Sequence, residues 1–140
     1  TFLFGTRLTR ITPLMRTNSL DSVMAALAAA AHDFGGGTRI GSTLAQLHAE
    51  WGARVLPGAL VLIVSDGCER DDPQRLGREM ARLHRRCHRV IWLNPWLGAA
   101  DYQPLVRGMQ AALPHVDEFL PVHNLVSLEQ LLQCLEDDGA

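Results

Sequence analysis

One stretch, residues 59–64 (Ala-Leu-Val-Leu-Ile-Val), constrains the fold of this chain most, because all six residues are apolar. Pro57-Gly58 precedes it as a turn, and Ser65-Asp66-Gly67 follows it directly. A strand with one solvated face alternates polar and apolar residues, so a run that is apolar on both faces is typical of a central strand in a parallel sheet. Parallel strands need long crossover connections, usually helices. The run therefore predicts an α/β protein.

The flanking segments alternate between strand and helix patterns, as that architecture requires. Upstream, the periodicity predicts a short buried strand at residues 2–4, a half-exposed edge strand at 7–12, and helices at 20–31 and about 42–53. Downstream it predicts a helix opening at Asp72-Pro73, a buried strand at 90–93, a helix at about 102–112, a strand at 116–120, and a last helix with Ser127 and Gln130 as capping box. We expect a doubly wound, mostly parallel sheet with helices on both faces.

Composition excludes several classes of function. A chain of 140 residues is one domain or most of one, and its net charge of −2 gives no general attraction to nucleic acid or anionic lipid. No apolar run approaches the roughly 20 residues of a membrane helix, so we expect no transmembrane segment. All 13 basic residues are arginines, which excludes mechanisms that need a lysine, the Walker A motif among them. Cys68, Cys87 and Cys134 are odd in number and widely spaced, as is typical of reduced cytoplasmic thiols.

Two polar loops are predicted at the carboxyl edge of the sheet, where doubly wound folds bind ligands. They are Gly36-Gly37-Thr38 and Ser65-Asp66-Gly67. Asp66 stands at the mouth of a buried strand, where an unpaired charge is costly and a bound cation is one remedy. The Thr38 hydroxyl and the Asp66 carboxylate are hard oxygen ligands of the kind that suit Mg²⁺ or Mn²⁺. We therefore take Thr38 and Asp66 as candidate metal ligands, although a helix end and a turn would explain each loop separately.

These two loops resemble two of the three segments of the metal-ion-dependent adhesion site (MIDAS) of von Willebrand A (VWA) domains. Three further stretches narrow the resemblance to CoxE-like VWA proteins: residues 4–9 (Phe-Gly-Thr-Arg-Leu-Thr), 92–95 (Trp-Leu-Asn-Pro) and 111–114 (Ala-Ala-Leu-Pro) with Asp117. The third metal segment, Asp-x-Ser-x-Ser after the first strand, has no counterpart, and its place would be before Thr1. On this resemblance, residues 1–140 are a single three-layer VWA, Rossmann-like domain lacking its first, central strand and the helix after it.

The resemblance also implies a function. CoxE-like proteins act with MoxR-type AAA+ ATPases in maturing a molybdenum hydroxylase such as carbon monoxide dehydrogenase. The domain would be a cytoplasmic, metal-gated adaptor and not an enzyme, with a partner carboxylate completing the metal shell. Two alternatives stay open. One is a metal-dependent hydrolase using Asp66, with Glu69, Asp71 or Asp72 as base. The other is an interaction domain whose metal site has decayed.

Two clusters in the second half have plainer interpretations. His84 and His88 share a helix face beside Cys87, which could form half a zinc site, although surface histidines and a packed thiol are the simpler interpretation. The arginines at positions 75, 78, 82, 85 and 86 indicate either the solvated face of a helix or an electropositive docking face for an acidic partner.

The missing central strand leads to one structural expectation. Residues 60–64 should pair on one side only, with residues 90–93, and the gap on the other side should stay open.

Overall fold

The chain is described here as a computed structural model, which covers residues 1–16, 19–31, 36–99, 103–104 and 106–137. It begins with a hairpin in which β1 (Phe2–Phe4) pairs antiparallel with β2 (Leu8–Arg10), with Phe4 opposite Leu8. The hairpin is a separate two-stranded sheet. Its first strand is half-buried instead of fully buried, because one edge and part of one face border an open cavity.

The main sheet is parallel and has three described strands, β3 (Leu60–Val64), β4 (Arg89–Asn94) and β5 (Glu118–Pro121). Their order is β3-β4-β5, so β4 is the middle strand. The four residues from Val90 to Leu93 are almost fully buried, which means that both faces of β4 are covered. The predicted α/β class with a parallel sheet is therefore confirmed.

Six α-helices are described: α1 (Leu20–Ala31), α2 (Ile40–Glu50), α3 (Gly52–Val55), α4 (Pro73–His84), α5 (Arg107–Ala112) and α6 (Leu125–Asp137). The bounds predicted for α1 and the cap of α4 are confirmed. The helix predicted at about 42–53 begins two residues earlier, at Ile40, and is divided into α2 and α3. Ser127 is the third residue of α6, whose cap is Asn124, because the Asn124 side chain accepts the Ser127 N–H at 2.8 Å. Among the described residues, no helix has the length and apolarity to span a bilayer.

One hydrophobic core joins the sheet to three of the helices. Helices α2, α4 and α5 pack against the face of the sheet that carries Ile63, Val90 and Trp92. Their contribution consists of large apolar side chains that are nearly all inaccessible: Ile40, Leu44, Leu47, Leu76, Met80, Leu83 and Met109. Helix α6 packs against β5. This core holds the carboxyl ends of β3 and β4 in a fixed relation to the start of α2.

The outer edge of β3 has no strand partner in the described part of the chain, so β3 is an edge strand as the truncated-domain interpretation expects. Leu62 and Val64 remain 44% and 54% exposed although they belong to the most apolar run in the chain. A cavity of about 890 Å³ lies along this edge, with β1 and the apolar face of α2 on its far side. β1 does not move in to pair with β3. No strand of the described residues fills the gap beside β3, as expected.

Candidate metal centre

The loop after β3 is held by hydrogen bonds on both sides. Ser65 extends the ladder of β3 through its N–H, which donates to the Leu93 carbonyl at 3.0 Å. Its own carbonyl accepts a hydrogen bond from the Trp92 indole N–H at 2.8 Å. Asp66 therefore lies just beyond the carboxyl end of the parallel sheet, where the sequence predicts it. Its Oδ1 accepts the Cys68 N–H at 2.9 Å, which closes a tight turn.

Two glycines let this turn lie directly against α5. Gly67 has a positive φ of 78°, which L-residues rarely adopt. A Cβ added there would stand 2.2 Å from the Met109 sulfur. A Cβ on Gly108 would stand 2.0 Å from the Gly67 carbonyl oxygen. The position of Asp66 is therefore set by close backbone packing of its loop against the beginning of α5.

Thr38 stands in the loop that leads into α2. Gly37 in front of it also has a positive φ, 79°, and a Cβ at that residue would overlap the Arg70 side chain. The N–H of Arg39 donates to the Gly5 carbonyl at 2.9 Å, which joins this loop to the hairpin turn. Glycine at position 37 is thus required by both the backbone and the close neighbour.

The Thr38 loop and the Asp66 loop are tied to each other. The Arg70 N–H donates to the Thr38 carbonyl at 2.9 Å, and the Glu69 Oε2 accepts the Gly41 N–H at 2.7 Å. Thr38 and Asp66 both line the cavity beside β3, at the end nearest the carboxyl edge of the sheet. The two predicted ligands therefore border the same cavity, in loops that are hydrogen-bonded to each other.

Glu69, Asp71 and Asp72 all have structural roles. The sequence predicts such a role for Asp72 alone. Glu69 caps the N-terminus of α2, and its other oxygen accepts the Asp71 N–H at 2.8 Å. Asp71 accepts a short hydrogen bond from the Ser42 hydroxyl and lies 3.6 Å from the Arg39 Nε. Asp72 caps α4 through the Gln74 N–H at 3.0 Å. Only the cap formed by Asp72 can be recognised from neighbouring residues, because a proline follows it. Glu69 and Asp71 contact residues that are about thirty positions away in the sequence.

The chemistry of the site is that of two hard oxygens. Asp66 forms no salt bridge with any described residue. Burial raises the pKa of the nearby Cys68 thiol, and the Asp66 carboxylate raises it further. Among the described residues, no group of three or more His, Cys, Asp or Glu side chains could hold a metal. Thr38 and Asp66 suit Mg²⁺ or Mn²⁺ in kind, but two ligands leave most of an octahedral shell open.

The possible zinc half-site does not form. His84 Nε2 lies 3.0 Å from Asp117 Oδ1, and the other oxygen of Asp117 accepts the Val90 N–H at 2.7 Å. Partial burial raises the pKa of Asp117, but these two interactions outweigh it and hold that pKa below its usual range. Cys87 is half-buried and packs against the hydrophobic core, and burial raises the pKa of its thiol.

Comparison with known proteins agrees with the geometry. The sequence model of the family described as "VWA domain containing CoxE-like protein" matches residues 1–128 of the 140. Searches of curated proteins and of solved structures gave no significant match.

Proposed function

Because this chain belongs to the family of CoxE-like proteins that contain a VWA domain, we propose that it is a metal-dependent protein-binding module. In this proposal it acts as an adaptor with a MoxR-type AAA+ ATPase during maturation of a client molybdenum hydroxylase such as carbon monoxide dehydrogenase. The observation that carries the proposal is that Thr38 and Asp66 line the same cavity, beside β3 at the carboxyl edge of the sheet, and that a backbone hydrogen bond from Arg70 to Thr38 joins their loops. The three free cysteines fit a reducing, cytoplasmic setting.

The ion in this proposal is Mg²⁺ or Mn²⁺. Asp66 would supply the charged ligand and Thr38 a hydroxyl oxygen. The family's Asp-x-Ser-x-Ser loop would supply further oxygens from the end of a strand lying in the gap beside β3. A carboxylate of the ATPase or the client would take the last position, so that the metal joins the two proteins. Metal and partner would then bind cooperatively, because each completes the other's site.

A binding role is better supported than a hydrolytic one. A hydrolase would need a general base or a second carboxylate close to Asp66. Glu69, Asp71 and Asp72 were the sequence candidates, and all three are engaged as helix caps or in ion pairs. Removing Glu69 or Asp72 from its cap would leave a backbone N–H group of α2 or α4 without its partner.

The test is metal-dependent capture of the ATPase and the client. Magnetic-bead capture with the immobilised protein should retain a MoxR-type ATPase in MgCl₂ or MnCl₂ and release it in EDTA. Asp66→Asn keeps the turn to Cys68, since an amide oxygen can also accept that hydrogen bond, but it removes the charge. This variant should lose the metal-dependent fraction of capture. Asp21→Asn is the matched control, because Asp21 is an exposed carboxylate on α1.

Calorimetry tests the ligand count separately. Mg²⁺ and Mn²⁺ should bind these 140 residues weakly or not at all, and should bind more tightly to a longer chain that includes an Asp-x-Ser-x-Ser loop. Tight binding to the 140 residues alone would contradict the two-ligand site. Capture that survives both EDTA and Asp66→Asn would contradict the metal-gated adaptor.

A further inference from the structure

Helix α4 carries its charges and its apolar residues on opposite sides. Leu76, Met80 and Leu83 are completely buried against the core. Four arginines follow one another at intervals of three, four and three residues along the helix and its first C-terminal turn, and all four are exposed: Arg75, Arg78, Arg82 and Arg85. Residues at these intervals lie on one side of a helix, and ten residues of helix span about 15 Å. We refer to these four residues as the arginine row.

The arginine row is only partly neutralised by its neighbours. Arg78 lies 3.8 Å from Asp72, and Arg82 lies 3.7 Å from Glu79. Both arginines are about half exposed or more, so these ion pairs are screened by water and contribute little. Within the described ranges, neither Arg75 nor Arg85 forms a salt bridge. The row therefore presents four guanidinium groups to solvent, two of them without a described carboxylate.

Helix stability accounts for only part of this arrangement, since the helix dipole favours Arg82 and Arg85 at the C-terminal end of α4 but not Arg75. Arg75 is in the first turn of α4, where the positive end of the helix dipole disfavours a cation, and no acidic residue is present in that turn. Cations aligned at helical intervals also repel one another. An external anionic partner would remove both unfavourable effects.

We propose that the arginine row binds an acidic α-helical segment of a partner protein. Glutamates spaced three and four residues apart on such a helix repeat at the same interval as the row, so each carboxylate can face one guanidinium. The planar guanidinium donates two parallel hydrogen bonds to a carboxylate, which a lysine ammonium cannot do. The row lies on the outer side of α4 and shares no residue with Thr38 or Asp66, so this contact does not depend on the metal.

Nucleic acid fits the same surface less well. The chain has a net charge of −2, which opposes a polyanion at long range. Asp72 lies beside Arg78 and Glu79 lies beside Arg82, so both carboxylates would lie close to the phosphates. A helix with separated carboxylates can place neutral or basic residues opposite these two side chains, whereas a continuous phosphate backbone cannot.

The probe is a fluorescent helical peptide with glutamates at matching intervals of three and four residues, and its counterpart with glutamines is the control ligand. Anisotropy at low salt measures binding to the 140-residue protein. Each exposed ion pair should change the affinity by a factor of about two to three. Arg75→Gln with Arg85→Gln should thus weaken binding about 5-fold, and glutamine at all four positions roughly 30-fold. Glutamine retains high helix propensity, so α4 should remain folded.

Arg16→Gln with Arg107→Gln is the matched control, since it removes the same charge from two exposed arginines outside the row. It should change the affinity by less than about 2-fold, and EDTA should have no effect. Equal weakening by the control pair would show a non-specific charge effect and overturn the proposal. So would failure of the glutamate peptide to bind better than the glutamine peptide. Tighter, row-dependent binding of a duplex DNA of about 20 base pairs would overturn the choice of a protein partner.

Discussion

Replacing Gly67 with alanine tests how the loop that carries Asp66 is held. The substitution adds one methyl group to a residue with a φ of 78°, and that methyl would stand 2.2 Å from the sulfur of the fully buried Met109. The methionine cannot simply swing aside, because Leu76, Met80 and Ala112 belong to the same packed cluster. Gly67→Ala should therefore destabilise the fold through backbone strain and through overpacking.

The two contributions can be estimated separately. A left-handed conformation costs an alanine about 1–2 kcal/mol. Forcing a methyl group into a well-packed core costs about 1–3 kcal/mol. The expected loss in the free energy of unfolding is then about 2–5 kcal/mol, a large part of the 5–15 kcal/mol of an ordinary domain.

Gly58→Ala separates the strain from the overpacking. Gly58 also has a positive φ, 68°, but an added Cβ would meet nothing within 4 Å. It should lose only the conformational contribution, about 1–2 kcal/mol. The difference between the two variants, measured by urea denaturation, isolates the clash with Met109.

A double-mutant cycle completes the test. Met109→Ala alone should cost about 2–5 kcal/mol, because it leaves a cavity in the core. The double variant with Gly67→Ala should lose about 1–3 kcal/mol less free energy of unfolding than the sum of the two single losses, since the methyl group added at position 67 then enters the vacated space. Additivity to within about 0.5 kcal/mol, or equal losses for Gly58→Ala and Gly67→Ala, would refute the close packing of this loop on α5.

Three further predictions follow from other contacts. Glu69→Gln should lower the free energy of unfolding by about 1–2 kcal/mol, because it weakens the cap of α2, whereas Asp66→Asn should change it by less than about 0.5 kcal/mol; urea denaturation compares them. Burial lowers the pKa of His48 below its ordinary 6.5, so the unfolded chain binds the proton more readily; stability should therefore fall as the pH drops below 6.5, and less so in His48→Gln. The open, apolar edge of β3 should make the protein self-associate, and Leu62→Lys with Val64→Lys should reduce that association, measured by light scattering, because charge on an exposed strand edge opposes pairing between copies.

Local signals predicted most of the elements. The helix bounds at Leu20 and Ala31 and the cap formed by Asp72 and Pro73 depend on residues close in sequence, and both are confirmed. The apolar run that forms β3 was correctly identified as a strand. The run itself does not show that one edge of β3 lacks a neighbouring strand, because the pattern of apolar residues indicates which faces of a strand can be buried and not which edges are paired. The resemblance to VWA domains supplied the expectation of an unpaired edge.

The parts that sequence reasoning missed depend on distant partners. α2 begins at Ile40 and not at Ser42, because its N-terminus is capped by Glu69 from the loop after β3. A capping residue close in sequence leaves a recognisable pattern, whereas a carboxylate 28 positions away leaves none. The same holds for Gly67 and Gly108, whose close contact joins two segments about forty residues apart. Glycine in a turn is predictable, but the neighbour that requires it is not.

The open edge of β3 connects the fold to the proposed metal site. A strand placed between β1 and β3 would cover Leu62 and Val64 and give both strands a second hydrogen-bonded neighbour. If it ran parallel to β3, its carboxyl end would reach the same edge of the sheet as Asp66, because parallel strands end on one side. The loop after it would then stand beside Thr38 and Asp66, the two proposed ligands. Metal affinity and folding stability should consequently rise together when the gap is filled, since an ion that binds only the completed site stabilises only the completed fold.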